Sequence, residues 1–232
     1  MPAQKISLSI KQRLLILPIL VVLAFQARSL FQEGLGYLYS QQTIGFLNFW
    51  HQETLNKEWN GRIQPANYTK AVEGAERALK YSAGNPLFAL QLARIFDRQA
   101  VYDESSAQDS LNIYRELMMF RPAWPYYRVD FAVAKARSGE LDAEFELALK
   151  EAMRLGPWEK DVLDKVARLG WLYRPGLNPS LQQQVDMNLA RYVSAYPWDV
   201  IRWGEQEGHL PQLCLLFAAL ARLGSCRRYL TR

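Results

Sequence analysis

Apolar residues recur at helical spacing along most of the chain, and no segment shows the strict alternation that is typical of a strand. Three stretches of this kind carry small or apolar residues three or four positions apart and end in a proline. They are Ala71, Ala75 and Ala78; Ser110, Tyr114 and Leu117; and Phe145, Leu149 and Ala152. The prolines that follow, Pro86, Pro122 and Pro157, are 36 and 35 residues apart, and Pro197 comes 40 residues later. The chain therefore repeats a unit of mid-thirties length.

A unit of this length with two helices predicts stacked antiparallel hairpins, because one hairpin cannot bury its own apolar face. The predicted fold class is all-α, a degenerate tetratricopeptide-like superhelix behind one N-terminal transmembrane helix. The predicted helices are Thr69 to Tyr81, Leu87 to Tyr102, Ser110 to Phe120, Tyr126 to Arg137, Ala143 to Leu155, Trp158 to Tyr173, Ser180 to Ala195, Asp199 to Glu207 and Pro211 to Leu223. The polar stretch Asp103 to Asp109 is predicted to be a loop, and Asp142 to be a helix N-cap.

The N-terminal part of the chain predicts a membrane anchor. The run from Leu14 to Ala27 has no charge, and although it is shorter than the roughly 20 residues of a span, Arg13 and Arg28 can reach the interfaces. A cleaved signal peptide is the alternative, but no Ala-x-Ala pattern follows the run, so we favour a retained anchor. The predicted divisions are residues 1–13, a basic cytoplasmic segment; 14–31, the anchor; 32–64, a long connecting helix that packs into the first hairpin; and 65–232, the helical domain.

Charge then predicts the orientation of the anchor. Lys5, Lys11 and Arg13 precede the apolar run, whereas no Lys or Arg occurs between Arg28 and Lys57. The positive-inside rule keeps the N-terminus in the cytoplasm and puts the helical domain in the periplasm, if the protein lies in a bacterial inner membrane.

The two cysteines, Cys214 and Cys226, would then face an oxidising space. A helix continuing to Leu223 would hold their Cα atoms beyond the roughly 7 Å that a disulfide allows, unless it ends early. We expect Cys214 to be buried and unpaired.

Candidate chemistry is sparse. The net charge of +5 falls largely at the two ends of the chain, so nucleic acid is not an expected partner. The sequence has two histidines, which lie far apart, and no catalytic signature such as HExxH or GxSxG. The best carboxylate cluster is Glu140, Asp142, Glu144 and Glu146, which is typical of a solvated helix start. We expect no enzymatic activity, no metal and no cofactor.

Surface recognition is the remaining function class. Aromatic residues and arginines gather where one predicted hairpin meets the next. The candidate partner or glycan surface consists of Arg121, Trp124, Tyr127, Arg128, Trp158 and Trp198. Tryptophan, tyrosine and arginine dominate the energetics of interfaces, and aromatic faces also stack on sugar rings. The alternative is that these aromatic side chains only fill gaps between hairpins.

Three phrases carry a resemblance to a known family. They are RPAWPY from Arg121, AKARSGELDAEF from Ala134, and LGPWE from Leu155. The chain resembles the VpsP-like family of small single-pass, tetratricopeptide-like proteins of bacterial exopolysaccharide gene clusters. The resemblance implies an inner-membrane accessory protein whose partners are proteins that polymerise or export an extracellular polysaccharide, and it implies no catalytic residue. Three alternatives stay open: a direct glycan-binding module, a generic protein-binding protein of the cell envelope, and a transferase or hydrolase that uses the four carboxylates.

Overall fold

The computed structural model describes residues 10–53 and 62–230, and every regular element in these ranges is a helix. The α-helices in chain order are α1 (Ile10–Glu53), α2 (Pro65–Tyr81), α3 (Pro86–Gln99), α4 (Glu104–Phe120), α5 (Pro125–Arg137), α6 (Ala143–Leu155), α7 (Lys160–Tyr173), α8 (Pro179–Ala195), α9 (Pro197–Glu207), α10 (Leu210–Leu216), α11 (Ala218–Ala221) and α12 (Gly224–Leu230). The all-α prediction is confirmed. The chain forms two compact units that divide after Ile95, within α3. Residues 1–9 of the predicted basic segment and 54–61 of the predicted connecting helix lie outside the described residues.

The first unit begins with a helix whose two halves differ in burial. Side chains 16–31 of α1 are exposed, and by length and composition the helix over Ile16–Glu53 could cross a membrane, with a mean hydropathy of 1.4 over an 18-residue window. From Gly36 onward the buried positions Gly36, Ser40, Thr43 and Trp50 recur at helical spacing. One uninterrupted helix thus carries a lipid-compatible half and a half that packs on protein.

The second half of α1 packs closely against α2 because both helices present small residues. Ala71, Ala75 and Ala78 of α2 are fully buried, as the repeat pattern predicted. A Cβ atom added to Gly74 would lie 3.0 Å from the Thr43 Oγ1 atom, so the glycine permits the approach. The Thr43 hydroxyl donates a hydrogen bond to the Ala71 carbonyl at 3.3 Å. The two helices of this first hairpin therefore pack with their backbones close together.

The second unit stacks hairpins in chain order. Helix α5 packs on α6 and α7 on α8, while α4 packs on α5, α5 on α7 and α6 on α8. Because the helices of a hairpin are antiparallel, the turns within hairpins lie at one end of this stack and the connections between hairpins at the other. Asp142 caps α6 by accepting a hydrogen bond from the Phe145 amide at 3.0 Å, as predicted. A hydrophobic core cluster of this unit includes fully buried Trp203, Leu163 and Val200.

Two predictions on local structure are wrong. The stretch Asp103 to Asp109 is not a loop, because Asp103 is the N-cap of α4 and accepts hydrogen bonds from the Ser105 and Ser106 amides. A polar segment of this kind satisfies the free amides of a helix start. Its polarity alone therefore does not distinguish a helix start from a loop. Several helices also begin at a proline rather than after it, since proline fits the first helical turn.

The predictions for the C-terminal cysteines are wrong in one respect. The helix predicted over Pro211 to Leu223 ends at Leu216, where Phe217 takes an extended conformation with φ −118° and ψ 105°. The chain then turns back through two short helices, and Cys214 forms a disulfide with Cys226 across a Cα–Cα distance of 5.5 Å. Cys214 is buried as predicted, but it is not unpaired.

Candidate functional site

Three proline corners connect successive hairpins of the second unit. We define the first corner as residues 121–126, between α4 and α5; the second as 156–160, between α6 and α7; and the third as 196–199, between α8 and α9. Each contains a proline next to a tryptophan, and Pro125 and Pro197 are the first residues of their helices. All three corners lie at the same end of the hairpin stack, because each joins the second helix of one hairpin to the first helix of the next.

The first corner contacts the second through a polar and a steric interaction. The Tyr126 hydroxyl donates a hydrogen bond to Glu159, and this bond raises the pKa of Tyr126 to about 12. A Cβ atom added to Gly156 would lie 2.9 Å from two carbons of the Pro125 ring. Only glycine therefore fits at this position without displacing the first corner.

The second corner contacts the third through Lys160. Its ammonium group lies 2.9 Å from an Asp199 carboxylate oxygen and 5.6 Å from the centre of the Tyr196 ring. The hydrogen bond to Asp199 is the main cause that raises the pKa of Lys160. The three corners consequently form one continuous row, which we call the tryptophan edge.

The tryptophans of this edge face solvent. Trp124, Trp158 and Trp198 are 43%, 66% and 60% exposed. The guanidinium of Arg121 lies 5.8 Å from the centre of the Trp124 ring, and that of Arg191 lies 5.7 Å from the centre of the Trp158 ring. A gap-filling role would bury these rings, so their exposure favours recognition over packing.

The structure sorts the other predicted surface residues differently. Tyr127 is only 3% exposed and does not belong to the surface. Its ring centre lies 6.4 Å from that of Trp124. Arg128 is half-buried and donates a hydrogen bond to the Pro122 carbonyl at 3.1 Å, which braces the first corner. The sequence analysis missed Arg191, which reaches the second corner from α8 and is not close to Trp158 along the chain.

The charges of the tryptophan edge are unevenly paired. The carboxylates in the edge and on the helix before its second corner are engaged: Glu151 pairs with Arg154, Glu159 accepts a hydrogen bond from Tyr126, and Asp199 pairs with Lys160 and Arg202. Among the residues that the structure describes, no carboxylate forms an ion pair with the three remaining arginines. They are Arg121, Arg128 and Arg191.

The opposite end of the same hairpins holds the carboxylate cluster that the sequence offered as a catalytic alternative. The Lys135 ammonium, 1% exposed, lies 2.9 Å from Glu140, 2.9 Å from Asp142 and 3.1 Å from Glu144. The hydrogen bond from Arg115 is the largest cause that lowers the pKa of Glu144 to about 2. These three carboxylates share one buried cation.

The fourth predicted carboxylate, Glu146, instead accepts hydrogen bonds from the backbone amide and the side chain of Asn178. It thereby connects α6 to the start of α8. No group of three or more His, Cys, Asp or Glu side chains within residues 10–53 and 62–230 has an arrangement suited to a metal ion.

A second surface feature, not foreseen from the sequence, lies beside the disulfide. A groove of about 540 Å³ runs between α7, α8 and the end of α10, and it is lined mainly by apolar side chains. Trp171, Leu189 and Phe217 contribute to it, and the ion pair of Arg174 with Asp186 lies at its rim. Leu215 and Leu216 are 68% and 66% exposed next to it. The exposure of these leucines was not predicted, because the helix expected here is unbroken and caps the stack.

Comparison with known proteins adds no relative. No protein-family model matches the chain, and no curated protein matches it. The resemblance to the VpsP-like family stays a prediction.

Proposed function

We propose that this chain is a non-enzymatic, membrane-anchored scaffold that docks proteins of an extracellular polysaccharide polymerisation or export system. The observation that carries the proposal is the construction of α1, whose exposed apolar half continues without a break into the first helical hairpin. Tethering a docking surface to a bilayer raises its effective concentration towards other membrane proteins. The polysaccharide setting comes from the resemblance alone.

Two further observations support an orientation with the helical hairpins in the periplasm of a bacterium. The residues before the apolar run carry Lys5, Lys11 and Arg13, and the next 28 positions after Arg28 lack Lys and Arg. The Cys214–Cys226 disulfide is of a kind that persists in oxidising compartments and is rare in the cytoplasm. Both observations favour the same side of the membrane.

The groove beside the disulfide is the docking surface for protein partners in this proposal. Exposed leucines at the mouth of an apolar groove are typical of protein interaction sites, because binding removes the apolar surface of both from water. Leu215 and Leu216 supply the leucines, and the disulfide fixes the turn that presents them. An apolar segment of a partner would bury them.

A genetic experiment with a cross-link tests the proposal. Cells lacking the chain should release less extracellular polysaccharide, and the full-length protein should restore release, whereas a variant with Leu215→Ser and Leu216→Ser should not. The matched control carries Leu147→Ser and Met187→Ser, whose side chains are 55% and 53% exposed elsewhere on the unit. A photo-activated cross-linker at residue 216 should capture a polymerase or export protein, and one at residue 147 should not. Normal polymer release by the deletion strain contradicts the polysaccharide role, and no such capture at residue 216 contradicts the docking role.

A further inference from the structure

We propose that the tryptophan edge is a binding site for an acidic polysaccharide, with sugar rings stacked on the indoles and the acid groups of the polymer paired with arginines. The inference rests on the proposed function for its choice of a polysaccharide as ligand class. Contacts within the second unit indicate where the polymer binds and that its charge is negative.

The site repeats along the tryptophan edge. The three corners present one exposed indole each, and they are connected in series by the contacts of Tyr126 with Glu159 and of Lys160 with Asp199. A polymer of repeating sugars meets a row of equivalent rings with one contact per ring, which suits a chain ligand better than a compact one. A flat indole accepts the apolar face of a sugar ring, and the exposed fractions leave room for it.

The second step is the charge. The three corners together with the helix residues that flank them, 120–128, 151–160 and 191–202, contain six basic and three acidic residues. Glu151 and Asp199 form ion pairs with Arg154 and Lys160, while Glu159 accepts a hydrogen bond from the neutral Tyr126 hydroxyl. Because the basic residues outnumber the acidic ones by three, the net charge of these segments is positive.

The third step is the placement of that charge on the rings themselves. Arg121 and Arg191, which have no carboxylate partner among the described residues, hold their guanidinium groups over the rings of Trp124 and Trp158. A guanidinium binds a carboxylate through two parallel hydrogen bonds, which a neutral sugar cannot offer. Each of these two corners therefore combines a stacking face and an anion-binding fork, the pair of groups that a sugar acid needs.

The experiment uses full-length protein in detergent micelles and measures its binding to immobilised polygalacturonate and to neutral dextran of similar length. We expect saturable binding to polygalacturonate that weakens as salt rises, and at least about tenfold weaker binding to dextran. The variant with Trp124→Ala, Trp158→Ala and Trp198→Ala should lose about tenfold or more in affinity for polygalacturonate. The variant with Arg121→Gln and Arg191→Gln should bind both polymers with similar weak affinity.

The matched control removes the same kind of exposed apolar area elsewhere. Leu147→Ala, Leu172→Ala and Met187→Ala change side chains that are 55%, 54% and 53% exposed, and this variant should bind like the wild type. Circular dichroism and the melting temperature show whether each variant folds, and the arginine variant tests the site should the tryptophan variant not fold.

Three results would overturn the inference: no polygalacturonate binding by the wild type, equal affinity for dextran, or unchanged binding by both edge variants. Protein capture at the edge with no polymer binding would assign the edge to a protein partner instead. Failure here leaves the polymer-release and cross-linking results of the proposed function intact. Binding by a protein whose deletion changes no polymer release would sustain this inference and refute the other.

Discussion

The two ends of the hairpin stack in the second unit use charged residues in opposite ways. At the end with the turns inside the hairpins, Lys135 is buried among three carboxylates, and Arg115 completes the pairing. At the other end, arginines lie over exposed indoles and have no carboxylate partner among the described residues. The first arrangement satisfies its charges internally and stabilises the stack, whereas the second leaves charge and aromatic area available to a ligand. Substitutions at the two ends should consequently affect different measurements.

The largest effect is expected from removing the shared cation. Lys135→Met leaves Glu140, Asp142 and Glu144 close together without the ammonium, and we expect the unit to lose about 2–3 kcal/mol, less than for fully buried carboxylates because these three keep contact with water. Thermal unfolding and hydrogen exchange of α5 and α6 amides measure it. Lys150→Met, at an exposed position of α6, is the control. An equal loss in both variants would contradict a special role for Lys135.

A smaller loss is expected where the first and second corners touch. Gly156→Ala puts a methyl group 2.9 Å from carbons of the rigid Pro125 ring, and such overpacking should cost about 1–2 kcal/mol. Gly176→Ala is the matched control, because no atom lies within 4 Å of its added Cβ. The melting temperatures of the two variants decide the point. If Gly156→Ala melts like the wild type, the corners are not in fixed contact.

Acid should weaken the turn end of the stack specifically. Arg115 is the main group that lowers the pKa of Glu144, from an ordinary value of 4.5 to about 2. A depressed carboxylate pKa stabilises the fold above the ordinary value, and this contribution is lost as pH falls from about 4.5 towards 2. Glu144→Gln should therefore cost about 1 kcal/mol or less at pH 7, since the side chain is 40% exposed, and the difference should shrink over that acid range. Melting curves of both proteins from pH 7 to pH 2 test this, and a difference independent of pH would refute the assignment.

The smallest effect on stability is expected at the tryptophan edge. Trp158→Ala and Trp198→Ala remove side chains that are 66% and 60% exposed, so each should change the free energy of unfolding by less than about 0.5 kcal/mol. The same unfolding measurements as for Lys135→Met apply. A loss above about 2 kcal/mol would favour the alternative in which these rings fill gaps between hairpins.

The sequence was sufficient for features that depend on local spacing. Helical periodicity and regularly spaced prolines predicted the hairpins, the apolar run predicted the exposed half of α1, and Asp142 was recognised as a cap. Proline next to tryptophan at three corners also pointed to the candidate surface, because the repeat brings equivalent positions to the same end of the stack.

Features that depend on contacts between distant residues could not be predicted in this way. The guanidinium of Arg191, on α8, lies over the Trp158 ring. The Lys135 ammonium pairs with carboxylates that the sequence shows only as an acidic helix start. The disulfide was missed because the apolar run from Leu213 to Ala221 fits one helix, and no proline or glycine marks the break at Phe217. Beyond that break, Leu220 and Cys226 are buried in the core.

The uninterrupted course of α1 has a mechanical consequence. A flexible linker would leave the orientation of the first hairpin independent of the apolar half, whereas a continuous helix fixes both its direction and its rotation. The 23 residues from Phe31 to Glu53 rise about 33 Å, and the face that packs on α2 has a fixed rotation about the helix axis relative to the apolar half. If the apolar half spans a bilayer, as the proposed function has it, a tilt or rotation of that half changes the orientation of the first hairpin by the same angle.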